Sequence, residues 1–229
     1  MQEQQIRWHI FDDASLLQEA AARAILESAN SAIAARGRYL IVFAGGTTPK
    51  AIYQRLRSAS TDWSRWHVYY GDERCLPPGH ADRNSRMAEE SLLAHVAIPA
   101  DQIHAIPAEF GAEEGASRYN ATLSGVGEFD CVLLGMGEDA HTASLFPGQT
   151  WDDPGGAPAI PVHDSPKPPS DRVSLSASRL SQAGRVLFLV TGAGKRDAVR
   201  AWRAGEDIPV RAIKPSAGID VYIDAAACP

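Results

Sequence analysis

Apolar and polar positions along the chain fall into blocks that switch between two periods. Residues 6–11 are a short apolar-rich run, read as a first strand. Asp12, Asp13 and Ser15 offer caps for a helix over 16–35, where Leu17, Ala20, Ala21, Ala24, Ile25, Ala29 and Ile33 recur at helical spacing. Gly37 is a natural stop for it. Residues 39–44 are apolar without a break, as suits a strand covered on both faces of a parallel sheet. That run ends in Gly45-Gly46-Thr47-Thr48-Pro49, with Pro49 suited to the first turn of a helix reaching Leu56.

The same unit recurs down the chain. A strand over 67–70 ends at Gly71-Asp72-Glu73-Arg74, and a loop follows through Pro77-Pro78-Gly79. Helices are predicted over 84–95 and 113–123, and a buried strand over 129–134 ends in Gly135-Met136-Gly137. Strands are predicted over 172–175, 186–190 and 219–223, and a helix over 195–203 after Thr191-Gly192-Ala193-Gly194. Strand–helix alternation of this kind predicts a layered α/β fold with a mostly parallel sheet, one domain spanning 1–229. The Pro-, Gly- and Asp-rich stretch 147–170 reads as a long surface loop beside the site.

Composition narrows the function classes. Hydrophobic residues are 45% and charged residues 22% of the chain, so a packed core is expected in place of extended disorder. A net charge of -6 gives no general attraction for nucleic acid or anionic membranes. A phosphorylated ligand would therefore need a local basic pocket. No apolar run approaches the roughly 18 residues of a membrane span, and Met1 to Ile6 lack a signal-peptide core. The expected location is the cytoplasm. Cys75, Cys131 and Cys228 form no CxxC pair and are read as free thiols. Oligomeric state is left open.

In parallel sheets, ligands collect at the carboxyl ends of strands. Four polar segments are predicted there: Gly45-Gly46-Thr47, Gly71 to Arg74, Gly135 to Phe146, and Thr191 to Lys195. They share one crevice if their strands are neighbours. The glycine turn before Thr47 suits an anion or sugar hydroxyls, and equally a ligand-free tight turn. Gly135-Met136-Gly137-Glu138-Asp139-Ala140 fits a loose GxGxxA pattern, but Pro147 interrupts the helix a dinucleotide site needs. Gly194-Lys195 fails as a P-loop, because Leu189 and Arg196 stand where glycine and Ser/Thr belong. Lys195 can still pair with a phosphate at a strand-to-helix turn. His141, beside Glu138 and Asp139, suits proton transfer near neutral pH. Asp72 and Arg74 are further candidates, or else a local ion pair. No HExxH or Cys/His set supports a metal, Ser144 lacks a GxSxG elbow, and a thiolate at Cys75 is unsupported.

These segments resemble the 6-phosphogluconolactonase family over nearly the whole chain. The run from Leu134 through His141-Thr142-Ala143-Ser144-Leu145-Phe146-Pro147 to Gly148 is similar to the family's GxGxDGHTASLFP signature. Gly45 to Pro49, Gly71 to Arg74, Asn84, Arg172 to Leu175 and Thr191 to Lys195 add to the resemblance. Ala44, Arg83 and Ala140 depart from it, standing where the family has Ser, Ser and Gly. Should position 140 need positive φ, alanine costs about 1 kcal/mol there.

The resemblance implies a three-layer α/β/α sandwich with a Rossmann-like sheet, shared with glucosamine-6-phosphate deaminase and ribose-5-phosphate isomerase. It implies hydrolysis of 6-phospho-D-glucono-1,5-lactone in the pentose phosphate route, without a cofactor. Carried over, His141 is the catalytic base, Arg74 binds substrate, and Arg172 and Lys195 hold the phosphate. Asp139 is expected to orient His141, and Asp72 to hold a sugar hydroxyl or Arg74; Gly45, Gly46, Thr47 and Asn84 complete the expected binding set. Two alternatives are an amino-sugar phosphate deaminase/isomerase and an inactive sugar-phosphate-binding module. Arg74 after Glu73, and Ser144 to Pro147 after the histidine loop, speak against the first. The short segment before the first strand leaves no room for a DNA-binding helix-turn-helix in the second.

Overall fold

A computed structural model describes residues 4–229, so the first half of the expected non-signal segment, Met1 to Glu3, lies outside the described residues. In chain order the elements are β1 (Ile6–Phe11), α1 (Ala14–Arg36), β2 (Tyr39–Phe43), α2 (Thr47–Leu56), β3 (Trp66–Tyr70), β4 (Asp72–Arg74), α3 (Asn84–Ser91), β5 (Ile103–His104), α4 (Ala112–Leu123), β6 (Cys131–Gly135), β7 (Ala159–Val162), β8 (Arg172–Leu175), α5 (Ala177–Ser181), β9 (Val186–Val190), α6 (Arg196–Ala204), α7 (Pro209–Ala212) and β10 (Ile219–Asp224).

Seven strands form one sheet in the order β1-β10-β9-β6-β2-β3-β5, all neighbours parallel. Helices flank it, with α1 packed on β10 and β2 and against α2, which in turn meets α3. This is the expected α/β sandwich. The apolar runs occupy its centre: every residue of β2 and of β9 is buried. The edge strand β1 is the least covered, leaving Ile10 exposed. Asp13, one of the three candidate caps, accepts from the Leu16 N–H at 2.9 Å and starts α1. Gly37, at φ 72, closes the helix as anticipated. Among the described residues no helix is long and apolar enough to cross a membrane.

Three expectations need correction. The strand at 172–175 forms where predicted but lies outside the parallel sheet. It is the middle of a separate antiparallel sheet, β4-β8-β7. The long loop 147–170 contains a strand of its own, β7. The helix expected over 84–95 ends at Ser91, because Leu92 (φ -145) leaves the helical region and a short 3₁₀ turn over Leu93–His95 follows. The two sheets are joined through Gly71, which carries the chain from β3 straight into β4. Its N–H donates to the Phe43 carbonyl at 3.0 Å, and its carbonyl accepts from Leu175 N–H at 2.8 Å. One residue is thereby bonded to both sheets.

Candidate active site

Strands β9, β6, β2 and β3 are consecutive neighbours in the sheet. The four polar segments that follow them therefore emerge side by side, and they enclose a cleft of about 200 Å³. Its wall includes Gly45, Gly46, Asp72, Arg74, Asn84, His141, Arg172 and Lys195, so most of the expected set is brought together. Thr47 is not part of the wall. It is exposed at the start of α2, and its neighbour Thr48 instead bonds Thr191 across the strand ends at 2.7 Å. Lys167 is in the wall and was not anticipated.

The histidine sits on a tight turn leaving β6. Gly137 N–H donates to the His141 carbonyl at 2.8 Å, and Ala140 N–H to the Gly137 carbonyl at 3.1 Å. Closing this turn requires Ala140 at φ 63, so the condition for the alanine penalty is met. The turn brings Asp139 back on His141: Oδ1 lies 2.5 Å from Nδ1 and 3.3 Å from the His141 backbone N–H. A proton on Nδ1 shared with this carboxylate leaves Nε2 as the basic nitrogen. No room is left above Gly137, where a Cβ would sit 2.0 Å from His141 Nδ1 and 2.4 Å from Asp139 Oδ1. Gly137→Ala is accordingly expected to break the pair, lowering activity far more than it lowers the melting temperature.

The rest of the loop is tied to the small sheet. Ser144 Oγ donates to Asp72 Oδ2 at 2.6 Å, and Ser144 N–H donates to Ser174 Oγ at 3.2 Å. Asp72 also accepts from Asn84 Nδ2 at 3.0 Å. Asp72 thus braces two loops and makes no bond to Arg74, one of the two roles expected of it; the free lone pairs of its carboxylate still border the cleft. Gly45 must lack a side chain because a Cβ would lie 2.0 Å from Asn84 Oδ1.

Four cations border the same cleft. Arg74 donates from Nη1 to the Asp82 carbonyl, while its Nε is buried without a protein partner among the described residues. Lys195 is half-buried on the 3₁₀ turn ahead of α6. Burial lowers its pKa; Glu138 opposes this and Lys167 adds to it. Arg172 is buried and spends three N–H bonds on the carbonyls of Lys167, Pro168 and Pro169, at 2.9, 3.2 and 3.2 Å. Its Nη1 lies 3.5 Å from Ser144 Oγ. Its first task is therefore to fold the loop that presents Lys167. The Pro166-Lys167-Pro168-Pro169 string was the available sign: a lone cation on a stiff segment.

Burial lowers the His141 pKa below the ordinary 6.5; the Asp139 hydrogen bond and charge oppose this, and the nearby Lys167 charge adds to the lowering. For Asp139, burial acts to raise the pKa, but the bond and charge of His141 and the charge of Lys167 prevail and hold it low. The two directions agree: the pair is a carboxylate beside a neutral imidazole. Burial pushes the Cys75 thiol up to about 11, away from thiolate character, and all three cysteines are free. Among the described residues no group of three or more His, Cys, Asp or Glu is placed to hold a metal ion.

Fold and cleft define an α/β protein whose strand-end crevice sets a carboxylate-held histidine among cations. The family model described as glucosamine-6-phosphate isomerases/6-phosphogluconolactonase matches residues 12–222, and the chain belongs to that family. It is 36% identical over 207 residues to a probable 6-phosphogluconolactonase 3, chloroplastic, of Oryza sativa subsp. indica, a match covering 83% of this chain and 63% of that protein. The chain thus spans under two thirds of that plant relative's length. It is 37% identical over 221 residues to the 6-phosphogluconolactonase of a Nostoc species, 89% of each chain. The solved structure of a 6-phosphogluconolactonase from Trypanosoma brucei superposes with a TM-score of 0.88 at 26% identity, covering 98% of both chains.

Proposed function

We propose that the protein hydrolyses 6-phospho-D-glucono-1,5-lactone to 6-phospho-D-gluconate, the lactone step of the pentose phosphate route. The observation that carries this reading is the position of His141. Asp139 holds one ring nitrogen, and the ring borders a cleft whose wall also holds Lys167, Arg172 and Lys195. In the reaction, neutral His141 takes a proton from water as that water adds to the lactone carbonyl. The imidazolium, stabilised by Asp139, then returns the proton to the ring oxygen as the C–O bond breaks. Arg74, whose guanidinium borders the cleft, supplies a donor to the developing oxyanion; one good donor is worth roughly 3 kcal/mol. Lys195, Lys167 and Arg172 hold the phosphate at the far end, and that remote binding aligns the carbonyl. The whole of 1–229 is taken as one functional domain, with the small sheet supplying Arg74 and Arg172. We place the protein in the cytoplasm; cell fractionation tests this, and recovery in a membrane or organelle fraction refutes it.

The purified chain, given freshly prepared 6-phosphogluconolactone, is expected to release 6-phosphogluconate faster than spontaneous opening. Ammonium release from glucosamine 6-phosphate, without lactone hydrolysis, would assign the deaminase reaction instead. Binding of sugar phosphates with no turnover of either compound would mark a binding module. Lys195→Ala is expected to raise KM about tenfold or more with a smaller change in kcat, since one charge-assisted bond contributes roughly 1.5–3 kcal/mol. An unchanged KM would remove Lys195 from phosphate binding. The pH dependence has a definite sign. Protonation removes the base, and burial lowers the His141 pKa from 6.5, so the half-point of the acid limb of kcat/KM is expected below pH 6.5. A half-point above 6.5 would contradict this.

A further inference from the structure

Lys167 differs from the other cations of the cleft. Its Nζ lies 3.9 Å from Asp139 Oδ1, the oxygen that also takes His141 Nδ1 at 2.5 Å. Two cation-forming groups thus compete for one carboxylate oxygen. The backbone that carries Lys167 is fixed by three bonds from buried Arg172 and by Ser165, whose Oγ donates to the Lys167 carbonyl at 2.8 Å and accepts its N–H at 3.2 Å. The side chain itself is 47% exposed. A rigid base therefore carries a side chain free to swing between Asp139 and the space beside Lys195. The charged groups facing His141 are Asp139 from its own loop, Lys167, and Asp72 from β4. Asp72 is fixed by Asn84 and Ser144, and the Phe146 ring packs at 4.8 Å. Lys167 is the member of this group with freedom to move.

We propose that Lys167 is a positioning residue that couples phosphate binding to the strength of the base. Before substrate binds, its ammonium shares Asp139 with His141 and weakens the imidazole as a proton acceptor. A phosphate dianion held by Lys195 and Arg172 draws the ammonium off Asp139. The carboxylate then serves His141 alone, and the base strengthens when the correct substrate is in place. The physical basis is ordinary: a nearby like charge disfavours the imidazolium, and loss of a competitor strengthens the hydrogen bond that stabilises it. The phosphate would then contribute to kcat as well as to KM, so an unphosphorylated lactone would be penalised in turnover itself. This inference rests on reading His141 as the base.

The test is a titration of the His141 ring protons by NMR on the full chain, with the resonance assigned by its loss in His141→Gln. Lys167→Met is expected to raise the midpoint by about half a pH unit, less than the effect of a fully buried charge because the ammonium is half exposed. Lys167→Arg, which keeps the charge, should stay near the parent. Saturating inorganic phosphate should raise the parent midpoint, and raise it less in Lys167→Met. An unchanged or lowered midpoint in Lys167→Met overturns the proposal. So does an equal phosphate effect in both proteins, which would reflect the anion's own field. Titration needs no turnover, so the two readings fail separately. Shifted midpoints without lactone hydrolysis sink the proposed reaction, and normal hydrolysis with unshifted midpoints sinks the coupling.

Discussion

His141→Ala is expected to lower kcat for the lactone by about 10²–10⁴-fold, the usual contribution of a positioned general acid–base. The fold should survive the change. The ring is partly exposed on a turn held by backbone bonds from Gly137 and Ala140, so its loss opens no cavity in the core. Binding of 6-phosphogluconate should persist, because Lys195, Lys167 and Arg172 belong to other segments, Arg172 to strand β8. The expected pattern is a collapse in kcat with a product dissociation constant within a few-fold of the parent. Steady-state kinetics and product titration read the two quantities separately. Near-normal turnover would move the base elsewhere in the cleft. Loss of product binding along with turnover would instead point to a collapsed loop. Asp139→Asn should be milder, since the amide still holds the ring but no longer stabilises the imidazolium.

Glu73→Ala is the substitution expected to cost most in stability, about 3–5 kcal/mol, the range for removing one member of a buried ion pair. Glu73 is fully buried. Its Oε1 accepts from the N–H groups of Arg74 and Asn84 at 2.9 and 2.7 Å. Its Oε2 accepts from the N–H and hydroxyl of Ser85, at 2.8 and 2.7 Å, and lies 3.4 Å from Nε of buried Arg83. Two of these donors are the first N–H groups of α3, so the carboxylate caps that helix from a different strand. Alanine would strand the donors and leave Arg83 with Glu109 as its remaining carboxylate partner. Glu73→Gln should be nearly as harmful, since its amide nitrogen must face an N–H. Urea unfolding at fixed pH measures the cost. A loss below about 1 kcal/mol would mean that water or a local shift replaces the bonds. Activity should fall too, because Asp72, Arg74 and Asn84 all lean on this group.

What the sequence made legible, and what it hid, divides along physical lines. The central strands β2, β6 and β9 are continuous apolar runs followed by glycine turns, and the chain pattern alone locates them; the two-residue edge strand β5 has no such pattern and was not anticipated. The convergence of four segments followed from strand-end geometry once β9, β6, β2 and β3 proved to be neighbours. The small sheet was hidden for chemical reasons. β4 is Asp-Glu-Arg, a run with no apolar period, and it is extended because β8 supplies its partners. β7 contains Pro161, which argues against a strand in the interior of a sheet. It is tolerated because β7 is an edge, where a missing donor costs no ladder bond. Lys167 has only a slight local sign, its place in a proline string; that it reaches the cleft depends on Arg172 bonding back to three carbonyls, a tertiary event. Arg83 illustrates the same gap: a departure from the family pattern that the fold absorbs by burying the guanidinium between Glu73 and Glu109.

Gly71 carries a consequence for how this molecule comes apart. A single strand threads from the large sheet into the small one, and its one N–H and one C=O clamp a partner on either side. Separating the small sheet from the large one therefore breaks a bond of Gly71 itself, which ties the opening of that side of the cleft to the end of β3.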